Sequence, residues 1–134
     1  MENYPGYSLR RASAASMAKL ASRFAKLDLR PTDAAVLMVI DSNPNITQSE
    51  IGRMLDIASA NMAPLVSRLA DRGLVERLPV DGRSHGLALT SSGSKLAEKT
   101  KKAAADHEQE LFSKIPESQR ENFLAILRNL WSDH

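Results

Sequence analysis

The period of the apolar residues changes once along this 134-residue chain, between residues 74 and 90, and that change excludes most folds. Up to Arg72 apolar side chains recur every three or four positions, as in helices packed on one side. The segments "LVERLPV" (74–80) and "GLALT" (86–90) read instead as short strands, with the polar cluster "DGRSH" between them as a turn. From Thr90 onward the helical period returns. A chain with one hairpin set among helices cannot be a sandwich, a barrel or a parallel sheet. The expected class is mainly α (α+β).

The punctuation fixes the order of elements. A helix is expected over 8–27, with Met17, Leu20, Phe24 and Leu27 as a narrow apolar seam and many alanines beside it. Pro31 suits a first helical position, where its missing N–H costs nothing. The helix it opens should reach about Ser42 and be mostly buried. Thr47-Gln48-Ser49-Glu50 fits a capping box and starts a short helix ending near Asp56. The next helix runs through Met62, Leu65, Leu69 and Arg72 and stops at Gly73. It contains Pro64, and two starts are open. With Asn61 as the cap, Pro64 lies among the first residues, whose N–H groups have no helical partner. With Ser59 as the cap, one bond to Ala60 is lost. After the hairpin, Thr90 caps a long helix to Phe112, with Leu96, Thr100, Ala103, His107 and Leu111 as its inner stripe. Pro116 breaks the chain, and Phe123, Ile126, Leu127, Leu130 and Trp131 mark a last amphipathic helix.

Residues 31–90 are long enough to close a small core of their own. Residues 1–30 and 91–134 carry apolar seams that such a core cannot cover. These flanks are expected to pack on each other and on a second copy, since a two-fold homodimer is the commonest closed assembly. The chain has no cysteine, so neither disulfides nor thiolate metal sites arise. His85, His107 and His134 are too far apart in sequence to suggest a metal site, and no cofactor motif is present. The longest apolar run, Ala34–Ile40, is too short to span a bilayer. "MENYPGYSLRRAS" lacks the apolar core of a signal peptide, and a cytoplasmic protein is expected.

Net charge is +2 and names no partner. Its distribution is uneven. Residues 1–30 carry six basic and two acidic groups, and residues 31–58 carry one and four. There is no broad basic patch of the kind nucleic-acid binders often show. A DNA-binding reading must therefore rest on architecture. Two short helices joined by a tight turn and followed by a hairpin make a winged helix-turn-helix. In that arrangement the second helix enters the major groove and the hairpin reaches along the duplex. Ile51, Gly52, Leu55, Ile57, Met62 and Leu65 fall where the motif needs internal apolar and small residues. Asp56 stands in the turn, where many such motifs have glycine.

At these residues the chain resembles a known family. "ITQSEIGRMLDIASANMAPLVSRLADRGLVERLPVDGRSHGLALTSSG" is similar to the core of the MarR family of bacterial transcriptional regulators, with "RLADRGLVER" and Asp81-x-Arg83 before "LALT" as its most specific pieces. The resemblance implies an obligate homodimer joined through long terminal helices. It also implies a palindromic double-stranded DNA operator and repression released by a small, often aromatic, ligand. The version here looks like a branch in which some members sense aromatic acids as coenzyme A thioesters. Three departures stand out. Arg30 replaces a frequent Thr before Pro31, so that cap is lost or replaced. Ser67 replaces a frequent acid that pairs with a wing arginine. Ala58, Ser59, Ala60, Asn61 and Ala63 open the recognition helix where polar and basic residues are common.

The expected DNA contacts follow from side-chain chemistry. Asn61 suits adenine, and Ala60, Ala63 and Pro64 offer only apolar contact, for instance to thymine methyls. Thr47, Gln48, Ser59 and Ser67 suit phosphates, which position without reading sequence. Arg83 suits a narrow minor groove, and Arg77, Ser84 and His85, with Asp81 and Arg68, complete the set. For an effector lodged between terminal helices and core, Met17, Leu20, Phe24, Met38 and His107 are candidates, with Arg10 and Arg11 for phosphates. Plainer roles stand beside these: Arg68 and Arg72 as solvated charges, Met17, Phe24 and Met38 as core, and His107 as a packed polar residue. Catalysis finds no support. Ser92-Gly93-Ser94-Lys95 matches S-x-x-K, but its companion motifs are absent and helix capping explains it better. The alternative from another class is a winged-helix adaptor that binds protein without specific DNA binding.

Overall fold

A computed structural model of the chain describes residues 1–79 and 85–132. Six helices and one hairpin follow in the expected order. They are α1 (Pro5–Ala25), α2 (Pro31–Ser42), α3 (Gln48–Leu55), α4 (Ser59–Asp71), β1 (Val75–Pro79), β2 (His85–Leu89), α5 (Ser91–Ser113) and α6 (Arg120–Trp131), with a 3-10 turn at Glu117–Gln119 before α6. The strands are antiparallel, Val75 opposite Leu89 and Arg77 opposite Leu87. His85 belongs to β2, opposite Pro79, and not to the turn as its polar neighbours suggested. The Leu87 N–H donates to the Ile46 carbonyl at 2.8 Å, which ties β2 to the α2–α3 link. No described helix is long and apolar enough to cross a membrane.

Three element starts illustrate how sequence sets structure. α1 begins at Pro5, three residues before the expected position, because proline at a first helical position starts a helix without losing a bond. α2 begins at Pro31 as expected. The cap that Arg30 cannot supply, having no acceptor, is half replaced: the Asp33 carboxylate accepts from the Arg30 N–H at 3.3 Å. α3 carries the complete capping box. Thr47 Oγ1 accepts from the Glu50 N–H at 3.2 Å, and the Glu50 carboxylate accepts from the Thr47 N–H at 3.1 Å. That bond and the Thr47 hydroxyl hold the Glu50 carboxyl below its usual range. Thr47→Ala should lower unfolding stability by ~1 kcal/mol in urea titrations, the usual worth of such a cap.

The core is built from α2 (Ala34, Val36, Leu37, Ile40), α3 (Ile51), α4 (Met62, Leu65, Val66, Leu69) and the hairpin (Val75, Leu87). Phe24 and Leu29 join it from α1 and its link to α2. α1 and α5 pack side by side as a stem, and ion pairs stitch them. Glu110 of α5 accepts from Arg23 at 2.5 Å and lies 3.5 Å from Lys19. Lys101 of α5 pairs with Asp41 of α2. The Arg23 hydrogen bond, with the Lys19 charge behind it, keeps the Glu110 carboxyl below its ordinary value. A depressed carboxylate contributes stability above its unfolded pKa, and that contribution is lost as pH falls through its folded one. Stability measured by urea denaturation should therefore decline below the ordinary carboxylate range, and Glu110→Gln should make the decline shallower. An identical acid limb would remove Glu110 from the explanation.

α6 buries nothing fully. Ile126, Leu130 and Trp131 are 52%, 63% and 75% exposed. Leu9 and Met17 of α1 are also exposed. Part of the apolar surface of the flanking helices, at the outer end of α1 and on α6, thus remains open in the single chain.

Candidate DNA-binding face

The turn between α3 and α4 is tight because two residues permit it. Asp56 adopts the left-handed conformation, φ 55°, which Asp tolerates better than most side chains. It closes α3 with its N–H on the Gly52 carbonyl. Gly52 is required by space: a Cβ there would meet the Ile57 carbonyl oxygen at 3.0 Å and Met62 Cγ at 3.3 Å. α3 and α4 can cross closely only over that bare backbone.

α4 begins at Ser59, with Ala58 as its N-cap and no side-chain capping bond. Both expected caps are therefore corrected: Ser59 is the first helical residue and Asn61 the third. The Ala58 carbonyl is shared between the N–H groups of Asn61 (2.9 Å) and Met62 (3.2 Å), so the first turn closes through backbone alone. Pro64 is then the sixth helical residue, and the N–H that would reach the Ala60 carbonyl does not exist. At 100° per residue, Ala60, Pro64 and Ser67 occupy the centre of the face opposite Met62, Leu65, Val66 and Leu69. Ser59 and Ala63 lie on one flank, Asn61 and Arg68 on the other. All of these are exposed except the four core residues.

Two clefts border this face. One, of about 500 Å³, lies between α3 and the start of α4 and is lined by Gln48, Ser49, Arg53, Asp56 and Ser59 among others. The second, of about 440 Å³, lies between the start of α2 and α4, where Arg30, Thr32, Asp33, Asn61, Pro64 and Arg68 meet. Thr47 and Gln48 at the start of α3, and Arg77 on β1, are also on the surface or partly so. Asp81, Arg83 and Ser84 lie outside the described residues. Sequence reading missed Ser49 and Arg53. Their one-turn spacing on α3, beside Gln48, was an available signal. It also missed the partner of Arg68, the Asp33 carboxylate at 3.1 Å. Thirty-five positions separate the two, and no local pattern announces the pair.

The expected effector residues do not line one cavity. Phe24 is buried in the core, with Leu20 and Met38 packed against it. Met17, Arg10 and Arg11 are exposed, and Arg11 bonds the Tyr7 hydroxyl at 2.8 Å. The α1 seam turns inward at its lower end, where Leu20 and Phe24 pack into the core. His107 borders a cleft of about 190 Å³ between α1 and α5, with Ala12, Ala15, Ser16, Lys19, Glu110, Leu111 and Lys114. Its Nε2 is 3.0 Å from Ser16 Oγ, and its Nδ1 is buried without a partner among the described residues.

A tight helix pair, an exposed second helix whose first turns carry no charge, and a hairpin behind it define a winged helix-turn-helix DNA-binding protein. The MarR family matches residues 27–84. The HTH-type transcriptional regulator SarZ of Staphylococcus haemolyticus is 30% identical over 111 residues, covering 81% of this chain and 74% of SarZ. The chain belongs to the MarR family of transcriptional regulators, which are not enzymes. Among solved structures, the transcriptional repressor CouR bound to a 23-mer DNA duplex superposes with a TM-score of 0.84 and 31% identity, over 98% of this chain and 94% of CouR. CouR bound to p-coumaroyl-CoA gives 0.82 and 28%, over 99% and 95%. MarR of E. coli in its apo form, at 23% identity and TM-score 0.80 over 96% and 98%, shares the fold.

Proposed function

We propose that this regulator is a repressor that holds a palindromic operator as a homodimer and releases it when a small effector binds, an aromatic acid or its coenzyme A thioester. The observation that carries the reading is the likeness, along 98% of the chain, to a repressor seen on DNA, and along 99% to the same repressor with a CoA thioester. Residues 31–90 form the DNA-binding core. Residues 1–30 and 91–134 form the dimer stem, supported by the exposed apolar faces of α1 and α6. In this reading Asn61 contacts a base edge, Ala60, Ala63 and Pro64 pack on thymine methyls, and Thr47, Gln48, Ser59, Ser67, Arg77 and His85 meet the backbone. By side-chain chemistry Arg83 suits a narrow minor groove and Ser84 a backbone contact, with Asp81 beside them in sequence.

The test is a gel shift on the DNA upstream of the protein's own gene, with unlabelled competitor, followed by titration with p-coumarate, p-coumaroyl-CoA and free coenzyme A. A specific shift reversed by one of the aromatic ligands is expected. No specific shift at moderate salt would instead favour a protein-binding adaptor, and a shift that no ligand reverses would remove the sensing part. Pro64→Ala should keep the fold and sedimentation of the wild type while changing the duplexes it selects from a randomised pool. Unchanged selection would make Pro64 purely structural.

A further inference from the structure

Arg68 stands on the exposed flank of α4 beside Asn61, where a cation invites assignment as a phosphate contact. Its surroundings argue otherwise. The Asp33 side chain is only 8% exposed. A buried carboxylate is costly to leave charged and unpaired. Apart from Arg68, its partner among the described residues is one backbone N–H, that of Arg30, at the long distance of 3.3 Å. Arg68 supplies the countercharge at 3.1 Å. A guanidinium that left Asp33 for a phosphate would strand that charge. One turn further on, Arg72, the C-cap of α4, donates to the Asp28 carbonyl at 2.7 Å, in the link between α1 and α2. The residues at i and i+4 on one flank of α4 therefore both fasten it to the segment that opens α2.

We propose that Arg68 is a positioning residue of the recognition helix: its pairing with Asp33 sets how α4 lies against the start of α2, and so how Asn61 and Pro64, which line the same cleft, are presented to DNA. Asp33 is the anchor and Arg68 the arm. The pair adds no net charge to the DNA-facing surface. This inference rests on the DNA-binding reading of α4, and one experiment separates the two.

Duplexes are selected from a randomised pool by the wild-type protein. Affinity for them is then measured by fluorescence anisotropy between 50 and 300 mM KCl for wild type, Arg68→Gln, Arg68→Lys, Asp33→Asn and the double variant Asp33→Asn/Arg68→Gln, each checked for fold by circular dichroism. The double variant replaces the ion pair by neutral groups of similar shape, so it reports even if a single variant unfolds. Arg68→Gln and Asp33→Asn are each expected to weaken binding about tenfold. The slope of log affinity against log salt should stay at its wild-type value, the double variant should be no worse than the weaker single, and Arg68→Lys should recover part of the loss. A phosphate contact predicts two different outcomes. Arg68→Gln would then lower the slope by about one, and Asp33→Asn, by freeing a cation, would tighten binding. Either result overturns the proposal while leaving DNA binding intact. A wild type that selects no duplex overturns the DNA reading, and this proposal with it.

Discussion

Ile126→Asp combined with Leu130→Asp should convert the protein into a folded monomer in sedimentation experiments, with operator affinity reduced at least about a hundredfold. Both side chains are more than half exposed in the single chain, so the charges should cost little fold stability. At a two-fold interface each residue counts twice. Burying what remains exposed of four such side chains is worth roughly 3–7 kcal/mol in total, against about 8 kcal/mol for a micromolar dimer. Removing that much apolar contact, and adding four carboxylates that would have to be desolvated, leaves too little to hold two copies together. In the proposed dimer DNA affinity follows, because each recognition helix alone would contact one half-site. A double variant that sediments like the wild type, with the wild type a dimer, would place the interface elsewhere.

Gly93→Ala should be severely damaging for a single added methyl. A Cβ at Gly93 would sit 1.9 Å from the Leu74 carbonyl oxygen and 2.9 Å from its carbonyl carbon. Both are backbone atoms, so no side chain can turn aside. The Leu74 carbonyl is also fixed by the Thr90 N–H at 3.0 Å, and Thr90 Oγ1 accepts from the Gly93 N–H at 3.0 Å. The start of α5 and the start of the hairpin are thus latched together around this one glycine. Overpacking of this kind costs about 1–3 kcal/mol where neighbours yield, and here they cannot, so a loss of ~3 kcal/mol or more is expected, with melting depressed by roughly 10 °C. Gly6→Ala is the control, since a Cβ there meets nothing within 4 Å. Near-equal melting of the two variants would contradict the latch.

The order of elements was legible because local chemistry controls it. Pro31, the Thr47–Glu50 box, Gly73 and Thr90 each end or begin an element at the position they occupy. The start of α4 was not legible, because its cap residue, Ala58, has no capping side chain and the first turn closes by backbone sharing. The composition of the reading face was legible, since an exposed helix face follows from spacing alone. The partners of Arg68, Arg72 and Glu110 were not, because they depend on how distant helices dock. How the expected effector residues are placed relative to one another was not legible for the same reason. An apolar seam in sequence does not say where it turns inward, and at Phe24 it does so completely.

Asp56 carries one more consequence. Its left-handed backbone could be served by glycine, yet the chain keeps a carboxylate that borders both clefts at the head of α4. If DNA lies on this face, that charge repels every duplex alike, whatever its sequence. Sliding on random DNA depends on counterion release alone, whereas the operator complex adds contacts to bases. An equal penalty weakens both complexes by the same factor and leaves their ratio unchanged, so what it alters is the absolute time spent at wrong sites. A protein with few cations on its reading helix gains search speed in this way, spending less of its time on DNA it is not meant to hold.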